Sequence, residues 1–277
     1  RYTNVLKRLR IILTVMLTLV SLGSHAQYDV AFSHYFDLEP SYNAAAVGKQ
    51  SKLNVAAAYA MDLAGFKRNP QTMYAGADMP LYFLKSYHGV GVQFIDGSKI
   101  DLEDSNDPAF SSSKLDGNSI DLAAGLYYTR GPLYVGLSAQ HLNSPLINLG
   151  ETNELQVDAT YYLTGGYDIR LRNPYLTIKP SFLVRTDGVA WRGDVTGRLV
   201  YTNDKKMMYL GVGCSPANSV TLLLGGNVHG VILGYSYEMY TSAINPGNGS
   251  HELFIGYQMD LNLTKKGRNL HKSVRTL

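Results

Sequence analysis

Cysteine is almost missing. Cys214 is the single one in 277 residues, so no internal disulfide forms, and no Cys pair or Cys/His cluster has zinc-site spacing. Charge is sparse as well, with 17% Asp, Glu, Lys and Arg, and the net +3 is spread along the chain. That distribution lacks the basic stripe of a nucleic-acid binder. After Ala26 no apolar run reaches the roughly 20 residues of a membrane helix. Catalytic signatures are absent too: the sequence has no GxSxG, no HExxH and no GxxxxGK[ST] phosphate loop. Gly165-Gly166 and Gly225-Gly226 fall inside runs of strand character, where glycine eases bending and close packing. Nothing here asks for a metal or a cofactor, and a non-enzymatic protein is expected.

What is present begins with a targeting signal. The first ten residues, RYTNVLKRLR, are basic and are followed by the apolar stretch IILTVMLTLVSLG. Ser24-His25-Ala26 then sets small residues at the −3 and −1 positions of a cleavage site. Residues 1–26 read as a secretory signal peptide, with the exported chain starting at Gln27. No Cys follows the site, so a lipoprotein is not expected. Residues 27–50 have no sustained period and read as an irregular, aromatic periplasmic lead-in that packs inside or beneath the following domain. Residues 51–263 form that domain, and 264–277 are a basic tail.

The domain is written in alternating residues. In the last hairpin Val231, Leu233, Tyr235, Tyr237 and Met239 share one face and Ile232, Gly234, Ser236 and Glu238 the other. Its second arm sets Leu253, Ile255, Tyr257, Met259 and Leu261 against Glu252, Phe254, Gly256, Gln258 and Asp260. Successive side chains of a strand point to opposite faces. Arms of about ten residues suit a tilted transmembrane strand. Twelve strands are expected: Leu53–Ala60, Gln71–Pro80, Gly89–Asp96, Ser119–Tyr128, Leu133–His141, Thr160–Ile169, Tyr175–Arg185, Trp191–Tyr201, Met207–Gly213, Val220–Asn227, Val231–Tyr240 and His251–Leu261. Taken in order, the odd connections are mostly long (Met61–Asn69, Gly97–Asn118, Leu142–Ala159, Thr241–Ser250) and the even ones mostly short. Unequal ends of this kind belong to an all-β, transmembrane antiparallel up-and-down barrel, with long loops outside and tight periplasmic turns. The last strand then pairs with the first, leaving no open edge. Tyr59, Tyr128, Tyr201, Tyr240 and Tyr257 are expected in interfacial girdles. A soluble sandwich with one wet face also alternates.

Charges gather on the polar face: Lys179, Arg185, Arg192, Asp194, Arg198, Glu238, Glu252 and Asp260, with Asp121 and Asp168. In a narrow lumen they are expected to pair or to fill it. Ser138 and His141 have opposite parity, so one strand turns them to different faces. His251 follows a long loop and reads as a polar rim residue. The long loops, through Asp101, Glu103, Asp104, Asn143 and Glu151, are the candidate cargo contacts. Their acidic residues lack EF-hand spacing.

Several blocks in order resemble one family. They are Gln27, Asp29, Phe32-Ser33-His34-Tyr35-Phe36 and Tyr42-Asn43 with Gly48; Gly65-Phe66, Pro70-Gln71-Thr72 and Asp78-Met79-Pro80-Leu81; Leu133–Ser138 with His141-Leu142; Lys179–Phe182; and Leu233–Tyr237 with Gly249–Glu252. This order is similar to the PorP/SprF family of the Bacteroidetes type IX secretion system. Ala44 departs from the proline usual there, and the region Gly97–Asn118 looks a hairpin short, so twelve strands are expected with fourteen as the rival. The resemblance implies an outer-membrane component assisting export or surface anchoring of cargo that carries a C-terminal sorting domain, in gliding bacteria also motility. It implies a link to the periplasmic ring lipoprotein and its partner, and to a peptidoglycan-binding lipoprotein. Outer-membrane lipid surrounds it, with both termini in the periplasm. A passive diffusion porin and a barrel enzyme are the alternatives.

Overall fold

The computed structural model describes residues 32–66, 69–83, 86–97, 122–144, 146–149, 153–156, 158–204, 206–216, 218–242 and 248–261. The expected signal peptide 1–26, residues 27–31, the loop residues Asp101, Glu103, Asp104 and Glu151, Asp121, and the tail 264–277 lie outside the described residues.

Among the described residues two 3-10 turns, Glu39–Ser41 and Ala44–Ala46, precede fifteen strands. These are β1 (Lys52–Met61), β2 (Gln71–Phe83), β3 (Ser86–Gly97), β4 (Ala124–Arg130), β5 (Leu133–Gln140), β6 (Leu146–Leu149), β7 (Asn153–Gln156), β8 (Thr160–Tyr167), β9 (Ile169–Arg170), β10 (Leu176–Thr186), β11 (Trp191–Asn203), β12 (Lys206–Ser215), β13 (Ser219–Val228), β14 (Val231–Tyr240) and β15 (Ser250–Asp260). Every ladder is antiparallel. The order across the main sheet is β3, β2, β1, β15, β14, β13, β12, β11, β10, β8, β5, β4, with β9 also on β10. All twelve expected strands are found, within a few residues at most ends. Of the expected strand Ser119–Tyr128, residues 119–121 lie outside the described residues, and the strand found is Ala124–Arg130. The expected loop Leu142–Ala159 holds a separate hairpin, β6 with β7, and β9 continues the line of β8 past Asp168.

The last strand does pair with the first, from Lys52 opposite Asp260 to Met61 opposite His251. The expectation that no edge remains needs correction. Among the described residues no ladder joins β3 to β4, so the sheet has two ends there.

Burial runs the wrong way round for a water-soluble sheet. On β12, Met208, Leu210 and Val212 are exposed while Tyr209, Gly211, Gly213 and Ser215 are buried. Leu126 on β4 and Val92 on β3 are 71% and 73% exposed. The covered face instead holds Ser138, Thr164, Ser181, Arg185, Thr196, Ser219, Thr221, Ser236, Glu238 and Glu252. A soluble domain hides its large apolar side chains and rarely leaves so wide an apolar face in water. Hydrocarbon is the solvent that suits the outer face, and the sandwich alternative falls on this observation.

Candidate functional site

The covered face is occupied by the chain's own residues 32–50. This stretch, FSHYFDLEPSYNAAAVGKQ, is rich in aromatics and has too few consecutive residues of one period for a strand or an α-helix. Pro40 opens one 3-10 turn, and Asn43 caps the next by accepting from the Ala45 N–H at 2.9 Å. At Gly48 the backbone turns left-handed, φ +66°, a conformation glycine adopts without steric cost. Phe32, His34, Tyr35, Phe36, Leu38, Glu39, Tyr42, Asn43 and Ala46 are all buried.

Three sets of contacts hold the segment. At its start Glu252 of β15 accepts from the Ser33 N–H at 2.5 Å and the His34 N–H at 3.0 Å, and its Oε1 lies 2.6 Å from His34 Nδ1. The His34 ring stacks on Phe254 at 5.9 Å, and Phe32 meets Tyr74 edge-on at 6.0 Å. In the middle, Tyr35 Oη is 2.9 Å from Ser181 Oγ of β10. The Arg198 guanidinium of β11 lies 3.3 Å from the Phe36 ring centroid, a cation–π contact. Ser138 donates to the Tyr42 carbonyl at 2.6 Å and Gln140 to the Ser41 carbonyl at 2.7 Å. At its end the Gly48 N–H donates to Asp78 of β2 at 2.9 Å, and Tyr127 of β4 donates to Glu39 at 3.0 Å. Lys49 pairs with Glu39. Burial lowers the Lys49 ammonium to about 8, against the pull of Asp37 and Asp78.

One segment of this length touches β2, β4, β5, β10, β11 and β15 only if the sheet curls around it. The wall is cut to receive it. A Cβ on Gly89 of β3 would strike the Val47 carbonyl, one on Gly125 of β4 the Asn43 amide oxygen, and one on Gly234 of β14 would lie 2.7 Å from His34 Nε2. Residues 43–48 thus lie against both β3 and β4, the two described ends of the sheet. The segment packs within the sheet rather than beneath it. Phe32 and Ser33 sit at the level of Arg192, Ser215 and Glu238, close to the strand ends that carry the long loops. Gln50 leads into β1 at the opposite, short-turn end.

Above Phe32 and Tyr35 lies a polar cavity lined also by Arg192, Asp194, Thr196 and Glu238. Arg192 donates to Asp194 and Glu238 at 3.4 and 3.3 Å, and Ser219 bonds Glu238. Asp62, just past β1, faces this group. Burial raises its carboxyl to about 6, and Glu238 and Glu252 add to the rise.

The lumen-charge set therefore divides. Arg192, Asp194 and Glu238 meet one another; Glu252 and Arg198 hold the inner segment; Lys179 pairs with Asp168 at 2.9 Å; Arg185 is buried. Asp260 is the exception. Its side chain is 91% exposed at the rim, 3.9 Å from Lys52, because the strand ends there. Of the loop candidates, Asn143 is exposed and accepts from the Leu122 N–H at 3.1 Å. His251 faces outward against Tyr235 Oη at 2.7 Å, and Ser138 faces inward, donating to the Tyr42 carbonyl. Tyr128, Tyr201 and Tyr257 are exposed on the outer face, but Tyr240 turns inward to Ser250 at 2.6 Å. Sequence reasoning did not single out Glu39, Lys49 or Tyr127, and met Asp78 only inside a family block. His34, Asn43 and Gly48 were visible only as parts of a motif.

A family model described as Type IX secretion system membrane protein PorP/SprF matches residues 24–97 and 92–257. No curated protein matches the chain. Among solved structures, the chain is similar to the β domain of the Bordetella autotransporter BrkA, with 16% identity, 76% of this chain and 98% of that one covered, and a TM-score of 0.33. It is similar to the Acinetobacter baumannii outer membrane protein Omp33, with 11% identity, 76% and 98% covered, and a TM-score of 0.36. It is also similar to Pseudomonas putida OprB at low pH, with 11% identity, 75% and 91% covered, and a TM-score of 0.32.

Proposed function

We propose, from the premise that this chain belongs to the PorP/SprF family of type IX secretion system membrane proteins, that it is a non-enzymatic outer-membrane barrel assisting the export or surface anchoring of cargo. On this reading the cargo carries a C-terminal sorting domain and meets the long-loop end. The short-turn end faces the periplasm and reaches the periplasmic ring lipoprotein, its partner and a peptidoglycan-binding lipoprotein, in gliding bacteria as part of motility. The signal peptide 1–26 delivers the chain. The carboxy-terminal end of β15 belongs to the periplasmic side. For the amino-terminal end the position of Phe32 favours the long-loop side instead.

The observation that carries the reading, beyond membership, is the filled lumen. A diffusion porin keeps a water channel through its barrel. Here buried aromatic side chains of residues 32–46 and the Glu252, Arg198 and Tyr127 contacts take up that space. A body whose interior is filled by its own chain suits a scaffold that binds other proteins better than a conduit for solutes.

The test is crosslinking in intact cells followed by affinity purification from the outer membrane. Recovery of periplasmic ring proteins or of a cargo sorting domain is expected. Recovery of neither, with steady conductance of the purified protein in planar bilayers, overturns the reading in favour of a porin.

A further inference from the structure

The short-turn rim is lopsided in charge. Across the adjacent strands β4, β5, β8, β10, β11 and β12, the short-turn end carries Arg130, Arg170, Arg172 and Lys206, all exposed. Among the described residues none of the four enters an ion pair. The acids on this arc are Asp204, exposed, and Asp168, already paired with Lys179. At the other end of the same six strands the described loop residues include Asp158 and Asp187 and no Lys or Arg. On the remainder of the short-turn rim Lys52 stands beside Asp260, so among the described residues the excess falls on one arc.

Each cation lies within five residues of an outward tyrosine in the chain. Tyr128 precedes Arg130 by two residues, Tyr167 precedes Arg170 by three, and Tyr201 precedes Lys206 by five. Tyr175 follows Arg172 in the same turn, with its ring 6.0 Å from that of Tyr201. All four rings are exposed beside the apolar band, on the lipid-facing side. Tyrosine prefers the headgroup boundary of a bilayer, and a long cationic side chain beside it reaches the phosphates.

We propose that this arc binds the anionic phospholipid headgroups of the leaflet that the short turns meet. A soluble acidic partner docking at the mouth would use the inner rim, where Arg170 stands opposite Thr177; Arg130 and Lys206 take the outward parity of Tyr128 and Met208, beside rings that stand on the outer face. With four cations over six strands spaced by about 4.8 Å, the surface is a multi-headgroup contact and not a single-phosphate pocket. The attraction near an anionic surface is worth about fivefold per cation and falls with salt. Bound lipid on one side would orient the barrel and give the wall a fixed lipid annulus along half its circumference.

The full exported chain is reconstituted into nanodiscs of phosphatidylethanolamine with a minor share of phosphatidylglycerol, and the lipid retained on the protein is counted by native mass spectrometry. Retained phosphatidylglycerol should exceed its bulk share several-fold and fall toward that share between 0.05 and 0.5 M salt, a range over which screening becomes strong. The combined variant Arg130→Gln, Arg170→Gln, Arg172→Gln and Lys206→Gln should lose the enrichment, while Lys52→Gln, outside the arc, keeps it. Lack of enrichment in the wild-type protein, enrichment insensitive to salt, or enrichment retained by a folded quadruple variant overturns the proposal. So does capture of an acidic protein with no excess of phosphatidylglycerol. Should the quadruple variant fail to fold, the wild-type salt titration and Lys52→Gln decide.

Discussion

Glu252→Ala is the sharpest perturbation of the inner segment. The carboxylate is 4% exposed, and the His34 side chain it holds is 0% exposed. It accepts from two backbone N–H groups and meets the imidazole at 2.6 Å. Removing it leaves those donors buried with water excluded. One stranded donor costs about 1–3 kcal/mol, and breaking a buried charged contact from one side costs about 3–5 kcal/mol. The contributions share one acceptor and do not add, so about 3–4 kcal/mol is the expected loss in seating the segment. At about 1.4 kcal/mol per tenfold, the unseated population rises by ~10²–10³. The readout is maleimide labelling of Ala46→Cys, a position 1% exposed, in a Cys214→Ser background that removes the outward native thiol. Where opening precedes labelling, the rate follows the open population. Glu252→Ala should therefore label ~10²–10³ times faster while its heat-modifiable gel band still reports a folded barrel. A rate within threefold of the parent refutes the reasoning. It would mean that the Glu252 contact does not hold residues 32–49 as one unit, and that the Asp78 and Tyr127 contacts seat the far end alone.

Two further outcomes follow from the same geometry. Asp62 has a folded-state carboxyl raised to about 6 by burial and by Glu238 and Glu252. Its proton is therefore held more tightly in the folded than in the unfolded state, and the stabilisation present below about 4 is lost as pH climbs through about 6. Asp62→Asn should match the parent in urea midpoint at pH 4 and exceed it at pH 7.5; equal midpoints at both values contradict the assignment. Because Phe32 stands near the long-loop end, a short epitope placed ahead of it, after the signal cleavage site, should be recognised by antibody on intact cells. Recognition only after permeabilisation refutes entry of the segment from that side.

The wall was legible because its two solvents differ. Leu210 between Tyr209 and Gly211, or Leu253 between Glu252 and Phe254, is a choice that a strand facing lipid on one side and a packed lumen on the other makes at every second residue. Periodicity alone left the direction open, since a sandwich alternates as well. It took the exposure of Val92, Leu126 and Leu210 to assign the apolar side to the outside. What periodicity missed was short or aperiodic. Four-residue strands such as β6 and β7 offer two residues per face, too few to stand out in a polar loop. Leu122 and Ala123 likewise extend the alternation ahead of the first pair of the β4 ladder, Ala124 with Ala139.

The inner segment was legible only as something aromatic that needed a place to pack, because its partners are far along the chain. Glu252 and Ser33 are 219 residues apart, and Tyr35 and Ser181 are 146 apart. No local rule connects such pairs. A sequence signal does exist, though it lies in the wall. Gly89, Gly91, Gly125, Gly136 and Gly234 all take the inward parity, and a Cβ on any of them would press on residues 34–47. An empty channel has no use for side-chain-free strips facing water, and a lumen packed by its own strand residues would fill those positions with bulk. Inward glycines beside an aromatic segment too irregular to form a strand therefore mark a wall shaped around that segment. The same logic explains the placement of charge. Glu252, Asp78 and Arg198 face inward where the lead-in presents N–H groups or a ring, and Arg192 faces inward above it, where two carboxylates are its partners. The interior is thus built as two halves that satisfy each other, one of them supplied by the aromatic stretch that precedes the first strand.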